Sequence, residues 1–220
     1  MTLQTVTDHR ATITQRLAAE IQALILGGAY APGAALREGE LAARYEVSRH
    51  VVREVLRTLA ADGMVDYASF RGARVPVLTE ADAREIYGAR RMVECGSEAM
   101  SALPDRKTIG GIHRAFAAAV KARDWRGAFD LDIDFHEAIV AAAGNARAST
   151  WLAGLQRDLR LAHLVAPSFN EEAFVASVAQ HGEIVAAIEA GDAMAARAAM
   201  RRHLDAAEGA LLEDMDGAKA

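Results

Sequence analysis

The feature that most constrains this chain is the stretch Val47–Val65, which predicts an exposed helix that ends at a glycine and leads directly into a strand. Its apolar residues recur at helical spacing and form one stripe for burial. Ser48 is a good N-cap, and Gly63 suits the left-handed conformation that often ends a helix. Three arginines recur every four residues and share a more polar face: Arg49, Arg53 and Arg57.

The flanking segments favour DNA recognition as the role of this helix. Leu36–Tyr45 predicts a second short helix, and only Glu46-Val47 separates the two, as in a helix-turn-helix. Downstream, Met64–Ala68 and Ala73–Val77 predict short strands around a hairpin tip, which would form a wing. Without these flanks, an ordinary amphipathic helix with solvated arginines would explain the pattern equally well.

Over about residues 10–78 these motifs resemble the DNA-binding domain of GntR-type bacterial transcription regulators. The matching segments are Val47-Ser-Arg with Arg53-Glu-Val-Leu, then Leu59-Ala-Ala-Asp-Gly-Met-Val and Arg71-Gly-Ala-Arg-Val. The resemblance implies double-stranded operator DNA as a partner. The contact residues that it implies are Ser48, Arg49, His50, Val51 and Arg53 in the helix, and Gly72 in the wing. Arg71, beside Gly72 at the hairpin tip, is a further candidate for DNA binding.

Three departures from the family pattern stand out. The family usually has Thr-Pro or Thr-Thr where this chain has His50-Val51, and a fatty-acid-responsive member carries arginine at the position of Gly39. Both departures bear on the operator sequence and leave DNA binding in place. Glu46 stands where the family often has glycine to leave the second helix, which concerns only the turn.

Length and charge predict two domains. The chain has 220 residues and a net charge of −5, enough length for two cores. Residues 1–78 carry nine basic and eight acidic residues, whereas residues 79–220 carry 16 and 22. We therefore expect a flexible N-terminus (1–9), a DNA-binding domain (10–78) and an acidic second domain (79–220). A nearly neutral DNA-binding domain would depend on clustered arginines and on two-site binding by a homodimer.

The composition also predicts a cytoplasmic protein with no membrane segment. No apolar run approaches the roughly 20 residues that a membrane helix needs, and no secretory signal opens the chain. The single cysteine, Cys95, excludes an internal disulfide and is expected to be a buried structural thiol.

The second domain predicts helices alone. Thr79 caps the first, and the punctuation of the sequence bounds six: 79–103, 105–123, 124–143, 145–166, 170–190 and 192–213. Short connections favour an antiparallel arrangement. The predicted fold is therefore mostly α, with a winged helix-turn-helix followed by an antiparallel all-helical bundle of about six helices.

Histidines in this bundle predict a candidate metal site. Asp132 and His136 are four residues apart on one helix face, and His181 and His203 each lie about 11 residues from the Gly191-Asp192 break. Two antiparallel helices joined at this break would place both imidazoles at the same level along the helix axes. Three imidazoles and a carboxylate suit zinc, nickel or manganese. The alternative is that these histidines are polar surface residues or hydrogen-bonded core residues.

The same pattern resembles the ligand-sensing FCD domain of FadR/VanR-type regulators, in its shorter VanR-like form. The resemblance implies a divalent metal, zinc first, on Asp132, His136, His181 and His203. It also places Arg90 facing the effector cavity, where the guanidinium could bind a carboxylate; a salt bridge to Glu94 is the equal alternative. His113 and His163 match no ligand position, and Asn145 is expected to be a helix cap.

Together these features predict a homodimeric bacterial transcription regulator that is not an enzyme. It would act as a repressor, bind a pseudo-palindromic operator, and respond to a small organic acid through the metal. Two rival hypotheses stay open: a metal-dependent hydrolase built on the bundle, and a pure metal sensor whose effector is the ion itself.

Overall fold

The computed structural model describes residues 3–68, 72–96, 105–165 and 171–217. The chain forms two units: Met1–Leu78 with Arg160–Val165, and Thr79–Leu159 with Ala166–Ala220. In the described part of the chain, no helix is both long enough and apolar enough to cross a bilayer.

The first unit is a winged helix-turn-helix, which confirms the predicted fold. Its elements are α1 (Leu3–Leu26), β1 (Ala35–Leu36), α2 (Glu38–Arg44), α3 (Arg49–Ala61), β2 (Asp66–Ala68) and β3 (Gly72–Arg74). The strands form an antiparallel sheet in the order β1-β3-β2, with Leu36 opposite Ala73 and Tyr67 also opposite Ala73.

The apolar stripe of α3 forms the centre of this unit's core. Four of its side chains are fully buried: Val52, Val55, Leu56 and Leu59. They pack with Ile21 and Ile25 of α1 and with Leu41 of α2. Burying one such side chain stabilises the fold by roughly 1.5–3 kcal/mol, so the stripe fixes α3 in place while its polar face stays exposed.

Both ends of α3 are fixed by specific hydrogen bonds. The Ser48 hydroxyl accepts a hydrogen bond from the Val51 amide at 3.3 Å, which confirms the predicted N-cap. At the other end Gly63 has φ 72°, and its amide donates to Ala60. The Met64 amide donates to the Leu59 carbonyl at 2.8 Å, which completes a Schellman motif. This corner leads the chain from α3 into β2.

The turn between α2 and α3 places a glutamate in a glycine-like conformation. Glu46 has φ 53°, in the left-handed region, and its side chain is exposed. This is the position where the family pattern often has glycine. A residue with a Cβ pays a steric cost there that glycine avoids.

Several predicted boundaries in this unit are wrong. Apolar residues at helical spacing predict a first helix over Ala11–Leu26, but α1 begins at Leu3. Helix α2 covers Glu38–Arg44 instead of the predicted Leu36–Tyr45. Strand β1 was not predicted, because two residues are too few to show an alternating pattern. The flexibility of residues 1–9 stays a prediction.

The second unit is all-helical in its described part, which confirms the predicted class. Its helices are α4 (Glu80–Glu94), α5 (Arg106–Lys121), α6 (Trp125–Ala141), α7 (Ala146–Val165, whose last six residues belong to the first unit), α8 (Glu171–Ala190) and α9 (Ala193–Gly217). Short turns join α5 to α6 and α8 to α9, and each of these pairs packs together. Helix α4 packs on α9, and α5 packs on α8.

Helix α4 is capped by side-chain hydrogen bonds at its N-terminus and ends earlier than predicted at its C-terminus. The Thr79 hydroxyl accepts a hydrogen bond from the Asp82 amide, and the Asp82 carboxylate accepts one from the Thr79 amide at 2.7 Å, so the N-terminus is a capping box. The predicted continuation to residue 103 is wrong, because the helix ends at Glu94 and Cys95 is its C-cap. Gly96, a poor helix former, follows directly. Residues 97–103 lie outside the described residues.

Replacing Glu46 with glycine should stabilise the first unit. Glu46→Gly removes the steric cost of φ 53° but adds entropy to the unfolded chain, so we expect a net gain of about 0.5–1 kcal/mol in the free energy of unfolding. Denaturant titration followed by circular dichroism measures the change. The matched control is Gly63→Ala, which should destabilise the same unit. A Glu46→Gly variant less stable than the parent chain would contradict the strain argument.

Candidate metal centre and nucleic-acid interface

The polar face of α3 presents the residues that the sequence predicted to contact DNA. Arg49, His50 and Arg53 are exposed, and Val51 is half-buried. Ser48 is exposed but uses its hydroxyl to cap the helix. In the wing, Gly72 is exposed, opens β3 and has φ 75°. Arg71 lies outside the described residues.

Arg53 is held by an ion pair that sequence reasoning missed. Its Nε and Nη2 donate to the two carboxylate oxygens of Glu38 at 3.1 and 2.8 Å, and the Tyr67 hydroxyl donates to the same carboxylate at 3.3 Å. The hydrogen bonds from Arg53 lower the pKa of Glu38, although its partial burial opposes them. Two of the five N–H donors of Arg53 are therefore used, and Nη1 has none of these bonds.

Arg49 lies against the start of α2. A Cβ added to Gly39 would lie 3.4 Å from Arg49 Nη2, so the guanidinium lies close to the backbone at Gly39. A longer side chain at residue 39 would therefore compete with Arg49 for the same space. His50 is 3.3 Å from the Glu54 carboxylate, one turn further along α3.

In the second unit, the four predicted ligands lie together. Each of Asp132, His136, His181 and His203 offers one atom, and all four atoms lie within 4.8 Å of one another. Helix α6 contributes Asp132 and His136, α8 contributes His181, and α9 contributes His203. The three imidazoles are buried, and the side chain of Asp132 is 15% exposed.

The turn between α8 and α9 accounts for the meeting of the last two imidazoles. Gly191 has φ 74° and the Asp192 carboxylate caps α9 by accepting the Ala195 amide at 2.9 Å. His181 Nε2 then lies 3.2 Å from His203 Nε2 and 3.3 Å from the Asp132 carboxylate. His136 Nε2 lies 3.2 Å from His203 Nε2 and 3.9 Å from Asp132.

The outer hydrogen bonds of two imidazoles show that a cation fits this group. His136 Nδ1 bonds to the Glu94 carboxylate, and His203 Nδ1 bonds to the Gln180 side-chain oxygen at 2.8 Å. Both partners are acceptors, so each neutral ring carries its proton on Nδ1 and a lone pair on Nε2. The two Nε2 lone pairs then face each other at 3.2 Å. A cation between them would turn this repulsion into coordination.

Burial favours the neutral, metal-binding form of the His181 and His203 imidazoles. Burial, with the neighbouring His136 imidazole and Arg90 next, lowers the pKa of His203 well below 6.5, and burial followed by the His203 and His136 imidazoles does the same for His181. Both rings are therefore neutral near pH 7, the form that binds metals. Burial raises the pKa of Asp132, a shift that a bound cation would oppose.

Arg90 is buried and paired with Glu94, so the salt-bridge alternative is present in the structure. Its Nε donates to Glu94 at 2.7 Å, and its guanidinium lies 5.1 Å from the centre of the Tyr87 ring. Arg90 Nη2 is buried without a hydrogen-bond partner among the described residues. Its predicted effector contact stays a prediction, but a buried, unpaired N–H group is available for one.

Three other residues singled out in the sequence lie outside the group of four predicted ligands: His113, Asn145 and Cys95. His113 is half-buried, and its ring centre is 6.5 Å from that of His181, with its Nδ1 buried and unpaired within the described part. The Asn145 side-chain oxygen accepts the amides of Arg147 and Ala148 and so caps α7. Cys95 is buried, and burial raises the pKa of its thiol to about 11, so the thiol is unreactive.

Comparison with known proteins covers both units. Residues 13–75 match the family model for bacterial regulatory proteins of the gntR family, and residues 85–206 match the FCD domain model. An HTH-type transcriptional regulator from an unstable DNA locus of Streptomyces ambofaciens is 35% identical over 85% of this chain and 80% of its own length. The HTH-type transcriptional repressor RspR of Escherichia coli K12 is 25% identical over 93% and 91%.

A solved structure shares the fold over most of the chain. The crystal structure of a GntR transcriptional regulator from Rhodococcus sp. RHA1 superposes with a TM-score of 0.81 and 28% identity, and covers 92% of this chain and 98% of its own.

Removing either of two imidazoles should abolish stoichiometric metal binding. We expect about one equivalent of divalent metal per protomer in the parent protein, and far less in His136→Ala or His203→Ala, because each substitution removes a nitrogen donor. Elemental analysis of protein purified without a histidine tag measures the content. His113→Ala is the matched control and should keep its metal. Unchanged metal content in both ligand variants would contradict the assignment.

Proposed function

The chain belongs to the GntR family of bacterial regulatory proteins and carries an FCD domain, and we propose that it is a repressor that senses a small organic acid through a bound divalent metal. We assign residues 10–78 to operator binding and residues 79–220 to effector binding and dimerisation. The repressor role is supported by RspR, a relative that aligns over nearly the whole chain.

The observation that carries the metal proposal is the facing pair of imidazole lone pairs. Asp132, His136, His181 and His203 then supply three nitrogens and one oxygen, a donor set that suits zinc and also nickel or manganese. When bound, the metal would act as a Lewis acid and coordinate oxygen lone pairs of the effector.

The effector class follows from the groups beside this donor set. Four protein ligands leave coordination positions for a bound molecule if the metal is five- or six-coordinate. Arg90 Nη2 is buried and unpaired among the described residues, and a carboxylate is the natural acceptor for a guanidinium. A small organic acid could use one carboxylate oxygen on the metal and another on Arg90.

On the DNA side, we propose a homodimer that places one α3 in the major groove of each half of a pseudo-palindromic operator. Arg49, His50 and Val51 would contact bases or phosphates, with Ser48 at the helix start. Arg53, oriented by Glu38, would present its remaining N–H groups, and Arg71 and Gly72 would approach the backbone from the wing. Effector binding would act by favouring one spacing of the two α3 helices over another.

Two other functions would use the same donor set. A metal-dependent hydrolase needs a general base beside the metal, but Glu94 is bonded to His136 Nδ1, the ring nitrogen that faces away from the other ligands. A pure metal sensor would need no organic acid. Operator binding measured across free zinc concentrations, with and without added carboxylates, separates the sensor from our proposal.

Arg49→Ala should weaken specific operator binding by about 1–3 kcal/mol if Arg49 contacts a guanine edge. The measurement is a fluorescence-anisotropy titration with operator DNA and with random DNA at one salt concentration. Arg16→Ala, which removes an exposed arginine outside α3, is the matched control. An equal loss on both DNAs would assign Arg49 to a phosphate, and no loss on either would remove it from the interface.

A further inference from the structure

The three imidazoles of the candidate metal centre differ in the hydrogen-bond partner of Nδ1, the ring nitrogen that faces away from the other ligands. His136 Nδ1 bonds to the carboxylate of Glu94, whereas His203 Nδ1 bonds to the neutral amide of Gln180. His181 Nδ1 has no hydrogen-bond partner among the described residues, and its ring stacks on Phe135 with centroids 4.1 Å apart. One ring therefore has a charged partner, one a neutral partner, and one is held by packing.

Glu94 is suited to act as a permanent carboxylate. It is fully buried and accepts a hydrogen bond from Arg90 Nε at 2.7 Å. Its other carboxylate oxygen bonds to His136 Nδ1, so both oxygens of this buried carboxylate have hydrogen-bond partners. A buried carboxylate without these two neighbours would cost several kcal/mol to keep ionised.

We propose that Glu94 is a positioning residue of the metal centre, which fixes His136 with Nε2 facing the other ligands and makes it the strongest nitrogen donor of the three. A carboxylate on the outer nitrogen of an imidazole increases the basicity of the inner nitrogen and sets the orientation of the ring. Gln180 supplies orientation to His203 with less gain in basicity, because it carries no charge. This inference rests on the proposed metal.

The position of Glu94 in the chain gives this role a regulatory consequence. Glu94 is the last residue of α4, whose first residue, Glu80, lies two residues after Leu78 of the first unit. Arg91, one turn from Tyr87 on α4, pairs with Asp205 at 3.1 Å and Glu208 at 2.6 Å, both on α9. A metal bound by His136 would therefore hold Glu94 and fix the C-terminal end of α4, whose N-terminal end follows the first unit in the chain.

The test compares two substitutions with opposite expected signs. Glu94→Gln keeps the size of the side chain and an acceptor oxygen but removes the charge, and zinc affinity should fall about 10–100-fold. Gln180→Glu adds a charge beside His203, and zinc affinity should rise. Glu85→Gln, an exposed glutamate on the same helix, is the matched control and should bind zinc as the parent chain does. Competition against a chelator at fixed pH measures all four proteins.

Cobalt supplies a signature that a purely structural role would not change. The visible absorption of bound Co²⁺ reports the donor strength of its ligands, so the Glu94→Gln spectrum should differ from that of the parent chain, and the Glu85→Gln spectrum should not. Circular dichroism of the metal-free proteins checks that each variant is folded.

Zinc affinity and a cobalt spectrum unchanged in Glu94→Gln would overturn the role of Glu94 and leave the proposed metal intact. If Glu94→Gln does not fold, Gln180→Glu decides, and an affinity equal to or below that of the parent chain would overturn the argument from charge. A parent chain that takes up neither Zn²⁺ nor Co²⁺ would instead remove the proposed metal, and the role of Glu94 with it.

Discussion

The interior of the second unit depends on how three imidazoles and a carboxylate are satisfied within 4.8 Å of one another. Buried polar groups destabilise a fold unless they are hydrogen-bonded, and here the outer nitrogens of two rings already have their partners. The inner nitrogens have only one another and Asp132. Packing of α8 against α9, and of α6 with α8 and α4, brings them together. Apolar burial therefore holds these polar atoms at a spacing that suits a bound cation, and metal binding would couple directly to the stability of the bundle.

Most of this centre can be read from the sequence because its geometry is local. Asp132 and His136 share a face at four-residue spacing, and His181 and His203 are nearly equidistant from one two-residue turn. The supporting groups cannot be read in the same way. Glu94 lies 42 residues before His136, and only the packing of α4 brings its carboxylate to that ring. The sequence alone indicated Glu94 as a possible salt-bridge partner of Arg90, four residues earlier, and gave no sign of its contact with His136.

In the DNA-binding unit, too, features set by neighbouring residues were predictable and contacts between distant residues were not. The stripe, the N-cap and the glycine end of α3 depend on neighbouring residues, so the fold class, the N-cap and the place where the helix ends were predictable. The family resemblance added the contact residues, which remain predictions. The Glu38–Arg53 pair joins residues 15 apart on two helices, and nothing in their spacing indicates it. Boundaries were least predictable where an element is short, as β1 is, or where a helix continues without a breaker, as α1 does.

The pair between Glu38 and Arg53 also changes how charge is distributed on the DNA-binding face. DNA releases condensed cations in proportion to the phosphates that a protein neutralises, and this release makes binding depend on salt. A guanidinium already bonded to a carboxylate brings almost no net charge to that exchange, yet it keeps donors in a fixed direction. The face of α3 therefore carries less effective charge than its three arginines suggest. Its attraction to arbitrary DNA is correspondingly weaker, and a larger share of its affinity must come from groups that match one sequence.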